Sequence, residues 1–182
     1  MDLLHELVEN EEKRRAAFPI CRNKIFMAHA AVTALPRVVA DAVIRFIEES
    51  AANFENFAAL LKSIQEARAS AANLIGCSPE EIALIGPTSL GLSLFANGID
   101  WRPGDEVICY LDDYPANVYP WLNLRSRGAT VRLLQPAETG ALTPELVAGA
   151  LTPRTRLVAL ASCNFVSGYR LDLNAIGKLL RE

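Results

Sequence analysis

The chain has 182 residues, 51% of them hydrophobic, enough to bury a core in one domain or most of one. Its net charge of -3, with acidic and basic residues interleaved, excludes an extended nucleic-acid surface and a polybasic membrane anchor. No apolar run approaches the roughly 20 residues that span a bilayer, and the N-terminus MDLLHELVENEEKRR is charged where a signal peptide needs an apolar stretch, which predicts a cytoplasmic protein.

Residues Leu3 to Phe18 begin with Leu3, Leu4, Leu7 and Val8 and then turn highly charged, predicting a peripheral amphipathic helix with Asp2 near its cap. Lys24-Ile25-Phe26-Met27 reads as extended and leads into the small-residue segment Ala28-His29-Ala30-Ala31, in which His29 is a candidate ligand-facing residue. Pro36 suits the first turn of a helix carrying Val39, Val43, Phe46 and Ile47. A second helix is expected from about Phe54 to Ile75, stopped by Gly76. Ser78-Pro79-Glu80-Glu81 then reads as one capped helical turn.

The stretch Ile82 to Ala96, IALIGPTSLGLSLFA, predicts a strand, a tight turn and a helix start. Hydroxyls at such a junction either cap the helix or, together with its exposed amides, hold an anion, phosphate above all. Thr88 and Ser89 are therefore the first site candidates. Further strands are expected at Glu106 to Leu111, Thr130 to Leu134 and Leu157 to Ala161, each separated by turn signals and helix-like residues. Four strands alternating with helices predict an α/β fold, a three-layer αβα arrangement around a mostly parallel sheet.

Open parallel sheets bind ligands at the carboxyl ends of their strands. Those ends carry Thr88 and Ser89, then Asp112 to Asn117 with Tyr114 among them, then Ser162 to Gly168 with Asn164. Such a set suits a phosphate, a flat ring and a ring substituent. Asp112 and Asp113 are read as loop and cap residues, and Asn117 as the cap of a helix from Val118 to Arg127. The four cysteines, Cys21, Cys77, Cys109 and Cys163, lie too far apart for a zinc site or a compact disulfide framework and read as reduced thiols; Cys163, beside the expected site, reads as a packing residue. A last helix starts near Asp172. With about four strands and no strand after that helix, the pattern reads as the first part of a longer fold.

The segments AHAAVTALP, GPTSLGLSLFANGI, PGDEVICYLDDYPANVYPW and TPRTRLVALASCNFVSGYRLDL, in this order, resemble the N-terminal half of the class V aminotransferases. These pyridoxal-phosphate enzymes include cysteine desulfurases, selenocysteine lyases and isopenicillin N epimerase-like proteins. The resemblance implies an N-terminal helical arm over 1–25, followed over 26–182 by the first part of the family's large cofactor domain. It implies pyridoxal 5'-phosphate as cofactor, an amino-acid substrate handled through an external aldimine, and a homodimer in the full-length protein, with transamination and sulfur or selenium elimination both open. By resemblance Thr88 and Ser89 hold the cofactor phosphate, Tyr114 stacks on the pyridine ring, Asn164 lies beside the 3-hydroxyl, and His29 lies on the substrate side. The desulfurases usually place histidine where Tyr114 stands; tyrosine stacks but does not shuttle protons at neutral pH.

The family's Schiff-base lysine and the aspartate that pairs with the pyridine nitrogen match nothing here, since Lys62 and Lys178 lie in expected helices outside any such motif. On that expectation the 182 residues do not turn over by themselves. A truncated or degenerate domain that binds a phosphate ligand or a protein partner remains the alternative, and the lack of G-x-G-x-x-G or G-K-[ST] patterns counts against a nucleotide-binding domain.

Overall fold

The computed structural model describes residues 3–28, 32–54 and 56–181, excepting the side chains of Leu3 and Leu4. They fall into two compact units, residues 1–83 and 84–182.

In the first unit the expected N-terminal helix is two helices, α1 (Leu3–Glu9) and α2 (Glu11–Ala17). The break is at Asn10, whose side-chain oxygen accepts the Lys13 amide proton and caps α2, a local bond that competes with helix continuation. Helix α3 (Arg37–Ala52) starts directly after Pro36, and α4 (Phe57–Ile75) ends on Gly76 in the left-handed conformation, φ 76°. Both helices form where the periodicity predicts, but their apolar stripes stay open: Val43, Phe46, Ile47, Phe57 and Leu74 are exposed. Ser78 and Glu81 form a reciprocal capping box around a single 3-10 turn at Pro79–Glu81.

The expected strand at Ile82 to Ile85 is absent. Ile82 has extended backbone, but its carbonyl accepts the Arg68 guanidinium instead of a strand partner. A β-strand exists only through a hydrogen-bonded neighbour, and among the described residues Ile82–Ile85 has none.

The second unit is built on three parallel strands, β1 (Glu106–Tyr110), β2 (Thr130–Leu134) and β3 (Thr155–Ala159), in the order β2-β1-β3. Glu106 aligns with Thr130 and with Thr155, and the β1–β3 register shifts between Glu106 and Val107. β3 therefore lies two residues earlier than the sequence suggests. Central β1 is buried throughout, and its period-two alternation divides the core. Val107 and Cys109 face a cluster with Ala96, Trp101, Trp121, Leu124, Val131 and Ala159; Ile108 and Tyr110 face Leu134, Leu142, Val147, Leu171 and Ile176. The first layer draws on α5 (Thr88–Gly98) and α6 (Tyr119–Asn123), the second on α7 (Pro144–Ala150) and α8 (Leu173–Leu179). This is the expected helix-sheet-helix sandwich.

The expected helix Val118 to Arg127 is short α6 continued as a 3-10 segment, Leu124–Arg127, closed by Gly128 at φ 84°. Its cap is Val118, without a side-chain bond, so Asn117 does not cap it. Asp172 does cap α8, accepting the Ala175 amide proton.

The candidate site at the carboxyl end of the sheet

Pro87 occupies the cap of α5, so Thr88 and Ser89 are the first two residues inside the helix. Proline offers the helix no side-chain acceptor. The first intrahelical bonds run from the Leu90 and Gly91 amides to the Pro87 carbonyl. Among the described residues, Thr88 and Ser89 thus keep both backbone N–H groups and both hydroxyls open, four donors at the positive end of an 11-residue helix. The reading of Ser89 as an ordinary cap is not what the structure shows. Ser89 lines a shallow cleft with Ser93, Asn97, Pro115, Ala116 and Tyr119, which brings the helix start up to the loop after β1.

That loop is organised by Asp113, whose side chain is 5% exposed. Its Oδ1 accepts the Tyr114 amide proton at 2.7 Å, and its Oδ2 accepts from Asn117 Nδ2 at 2.9 Å and from the Ala161 amide at 3.1 Å. Asn117 in turn accepts the Trp121 indole proton at 3.1 Å. Asn117 therefore ties Asp113 to the core. Tyr114 is 54% exposed, with its ring edge-to-face on Phe165, centroids 5.3 Å apart.

Asn164 is 4% exposed and closes the turn after β3. Its Oδ1 accepts from the Val166 and Ser167 amides and the Ser167 hydroxyl, while Nδ2 makes a long 3.4 Å bond to the Asp112 carbonyl. Only the second Nδ2 hydrogen is left for another partner. The turn also depends on Gly140 in the loop after β2. A Cβ on Gly140, which sits at φ 78°, would lie 2.5 Å from Asn164 Cβ, and its amide donates to the buried Tyr110 hydroxyl at 3.1 Å. The sequence marks Thr139-Gly140 as a turn but carries no signal of this close approach.

The structure links Tyr114 to Phe165 and Asn164 to Asp112, and brings Ser89 into one cleft with Pro115 and Ala116; Thr88 and Ser89 follow a segment that is not a strand and share no recorded contact with Tyr114 or Asn164. Cys163 is exposed, its thiol directed at the Gly168 carbonyl, 3.4 Å away. Cys109 lies in the core, where burial pushes its thiol up to about 11; Asp113 adds to that shift and Arg125 opposes it. His29 lies outside the described residues. Among those residues no cluster of His, Cys, Asp and Glu could hold a metal ion, and no helix is long and apolar enough to cross a membrane. Lys178 is the one lysine of residues 84–182 and sits exposed on α8.

Comparison with known proteins now decides the family: the model of "Aminotransferase class-V" matches residues 25–182. The chain belongs to the class V aminotransferase family. Among its relatives is a probable cysteine desulfurase of Methanothermobacter thermautotrophicus, 30% identical over 94% of this chain and 44% of that protein. A cysteine desulfurase of Klebsiella pneumoniae is 28% identical, covering 94% of this chain and 46% of that one. The solved cysteine desulfurase CsdA of Escherichia coli superposes with a TM-score of 0.80 at 27% identity, over 94% of this chain and 46% of its own. A mutant of C-DES with glycine covalently linked to its PLP cofactor gives 0.79 at 25%, over 92% and 45%. This class V chain spans about half the length of the relatives it matches.

Proposed function

We propose that the chain binds pyridoxal 5'-phosphate at the carboxyl edge of its sheet, as part of a cytoplasmic class V enzyme acting on an amino acid. The carrying observation is the open donor set of Thr88 and Ser89. Two hydroxyls and two amides at a helix N-terminus match the three acceptor oxygens and negative charge of a phosphate. The cofactor, when bound, supplies an electron sink for an amino acid joined to it.

The chain's own residues hold and orient. Thr88 and Ser89 would hold the phosphate, the half-exposed Tyr114 ring would stack on the pyridine, and Asn164, with one Nδ2 hydrogen not used in its bond to Asp112, would serve the ring oxygen. His29 is assigned to the substrate side. Residues 26–182 belong on this reading to the cofactor domain and 1–25 to an arm, and the full-length protein is a homodimer. Cysteine desulfurases among the relatives favour sulfur chemistry, whereas a tyrosine at the stacking position, which does not shuttle protons at neutral pH, counts against a strict desulfurase and keeps transamination open.

The second reading is a phosphate-ligand or protein-interaction module that binds without turnover, resting on the same open donors of Thr88 and Ser89. Replacing Thr88→Val and Ser89→Ala together tests the shared part of both. Each lost hydroxyl bond to a charged phosphate is worth about 1.5 kcal/mol at the lower end of its range, so cofactor affinity falls roughly 100-fold. Unchanged affinity in an absorbance titration refutes the phosphate assignment.

A further inference from the structure

Asp113 is a buried carboxylate within PGDEVICYLDDYPANVYPW to which the resemblance assigns no role. All of its recorded partners are neutral N–H groups: the amide of the next residue, the carboxamide of Asn117 and the amide of Ala161 just past β3. Those three groups sit on the loop after β1 and on the chain leaving β3, so one side chain clamps two strand ends together. Tyr114 is attached through its own amide, and the turn of Asn164 begins three residues after Ala161. The clamped segments meet again where Phe165 packs on Tyr114 and where Asn164 Nδ2 reaches the Asp112 carbonyl.

We infer that Asp113 is a positioning residue that fixes Tyr114 and Asn164 as a preset face for the cofactor ring, separate from the phosphate grip at Thr88 and Ser89. This deepens the cofactor reading above and rests on it. A carboxylate is the group the place requires, because only an acceptor-only side chain can take donors at both oxygens. An asparagine there sets its NH2 against a donor whichever way the amide turns. The phosphate grip makes no recorded bond to Asp113, so the two halves of the site are separable by mutation.

The test compares wild type with Asp113→Asn in the full-length protein, by amide hydrogen exchange and by titration with pyridoxal 5'-phosphate and with inorganic phosphate as competitor. The clamp predicts loss of protection at the Tyr114 and Ala161 amides while Ile108 and Cys109 in β1 stay protected. It predicts about tenfold weaker cofactor binding, a displaced absorbance maximum of the bound cofactor, and an unaltered inhibition constant for inorganic phosphate. Protection that persists at Tyr114 and Ala161 overturns the clamp, and lost protection with unaltered cofactor affinity and spectrum overturns its role in positioning. Should Asp113→Asn not fold, Asn117→Ala removes one of the three donors, together with the acceptor of the Trp121 indole, and leaves the carboxylate in place; the same changes at the Tyr114 and Ala161 amides and in cofactor binding are expected at smaller size, and their absence overturns the inference. A wild-type protein that binds no pyridoxal 5'-phosphate refutes the cofactor reading alone, since the exchange comparison still decides whether the clamp exists.

Discussion

The two ends of the parallel sheet treat polar groups in opposite ways. At the amino end, Glu106 is 1% exposed and fully engaged: Thr152 donates its hydroxyl at 2.7 Å, Arg154 donates from two nitrogens, and Arg132 closes within 3.2 Å. Next to it Asp105 holds Arg156 at 2.8 Å, and Arg156 lies over the Trp101 ring. At the carboxyl end, four donors of Thr88 and Ser89 have no partner among the described residues and Tyr114 stands half in solvent. A closed polar network supports a fold, while an open, convergent one is available to a ligand. Changes at the amino end should therefore alter stability and leave cofactor binding alone, and changes in the phosphate grip should do the reverse.

Glu106→Gln should give the largest loss of melting temperature, because two arginines and a threonine lose a buried acceptor, with cofactor affinity held within about twofold. Its pH signature is specific. The Thr152 hydroxyl, followed by Arg154 and Arg132, holds the Glu106 carboxyl below its ordinary 4.5. A carboxyl lowered in the folded state stabilises fully above its unfolded value and loses that contribution as pH falls through the folded one. Wild type should thus lose stability on acidification below about 4.5, and the glutamine variant should lose less over that interval in thermal melts.

Gly140→Ala lies between the two behaviours. The new methyl meets Asn164 and the backbone is left-handed there, so about 1–3 kcal/mol of stability should be lost, together with cofactor affinity. A variant with wild-type affinity would show that the Asn164 turn is not part of the ring face. Tyr114→Ala should cost less, about 0.5–1.5 kcal/mol of cofactor binding with a changed absorbance spectrum and an unaltered melt of the free protein. The mildest probe is alkylation at pH 8, which should modify exposed Cys163 in the native state and buried Cys109 only after unfolding. Mass-resolved labelling checks this.

The sandwich was legible because the apolar run over 107–111 follows the turn Arg102-Pro103-Gly104-Asp105 and Glu106 and ends at Asp112, and because helix periodicity at Leu173, Ile176 and Leu179 is regular. Ile82 to Ile85 carries an equally apolar pattern and still makes no strand, since pairing depends on a neighbour that local sequence does not encode. Helix α1–α2 broke for the opposite reason, a purely local bond at Asn10. At the candidate site, Thr88, Ser89, Tyr114 and Asn164 were singled out from expected strand ends and resemblance, although the strand expected before Thr88 does not form. Asp113 and Gly140 were not, because their importance lies in contacts with Ala161 and Asn164, 48 and 24 residues away.

The most direct measurement is a paired titration of the full-length protein with pyridoxal 5'-phosphate and with unphosphorylated pyridoxal, followed by absorbance. If the open donors at the start of α5 are the phosphate grip, the phosphorylated form binds at least about 100-fold more tightly, and inorganic phosphate competes with it. Equal affinities, or competition that fails, would contradict the assignment of that helix start to the cofactor.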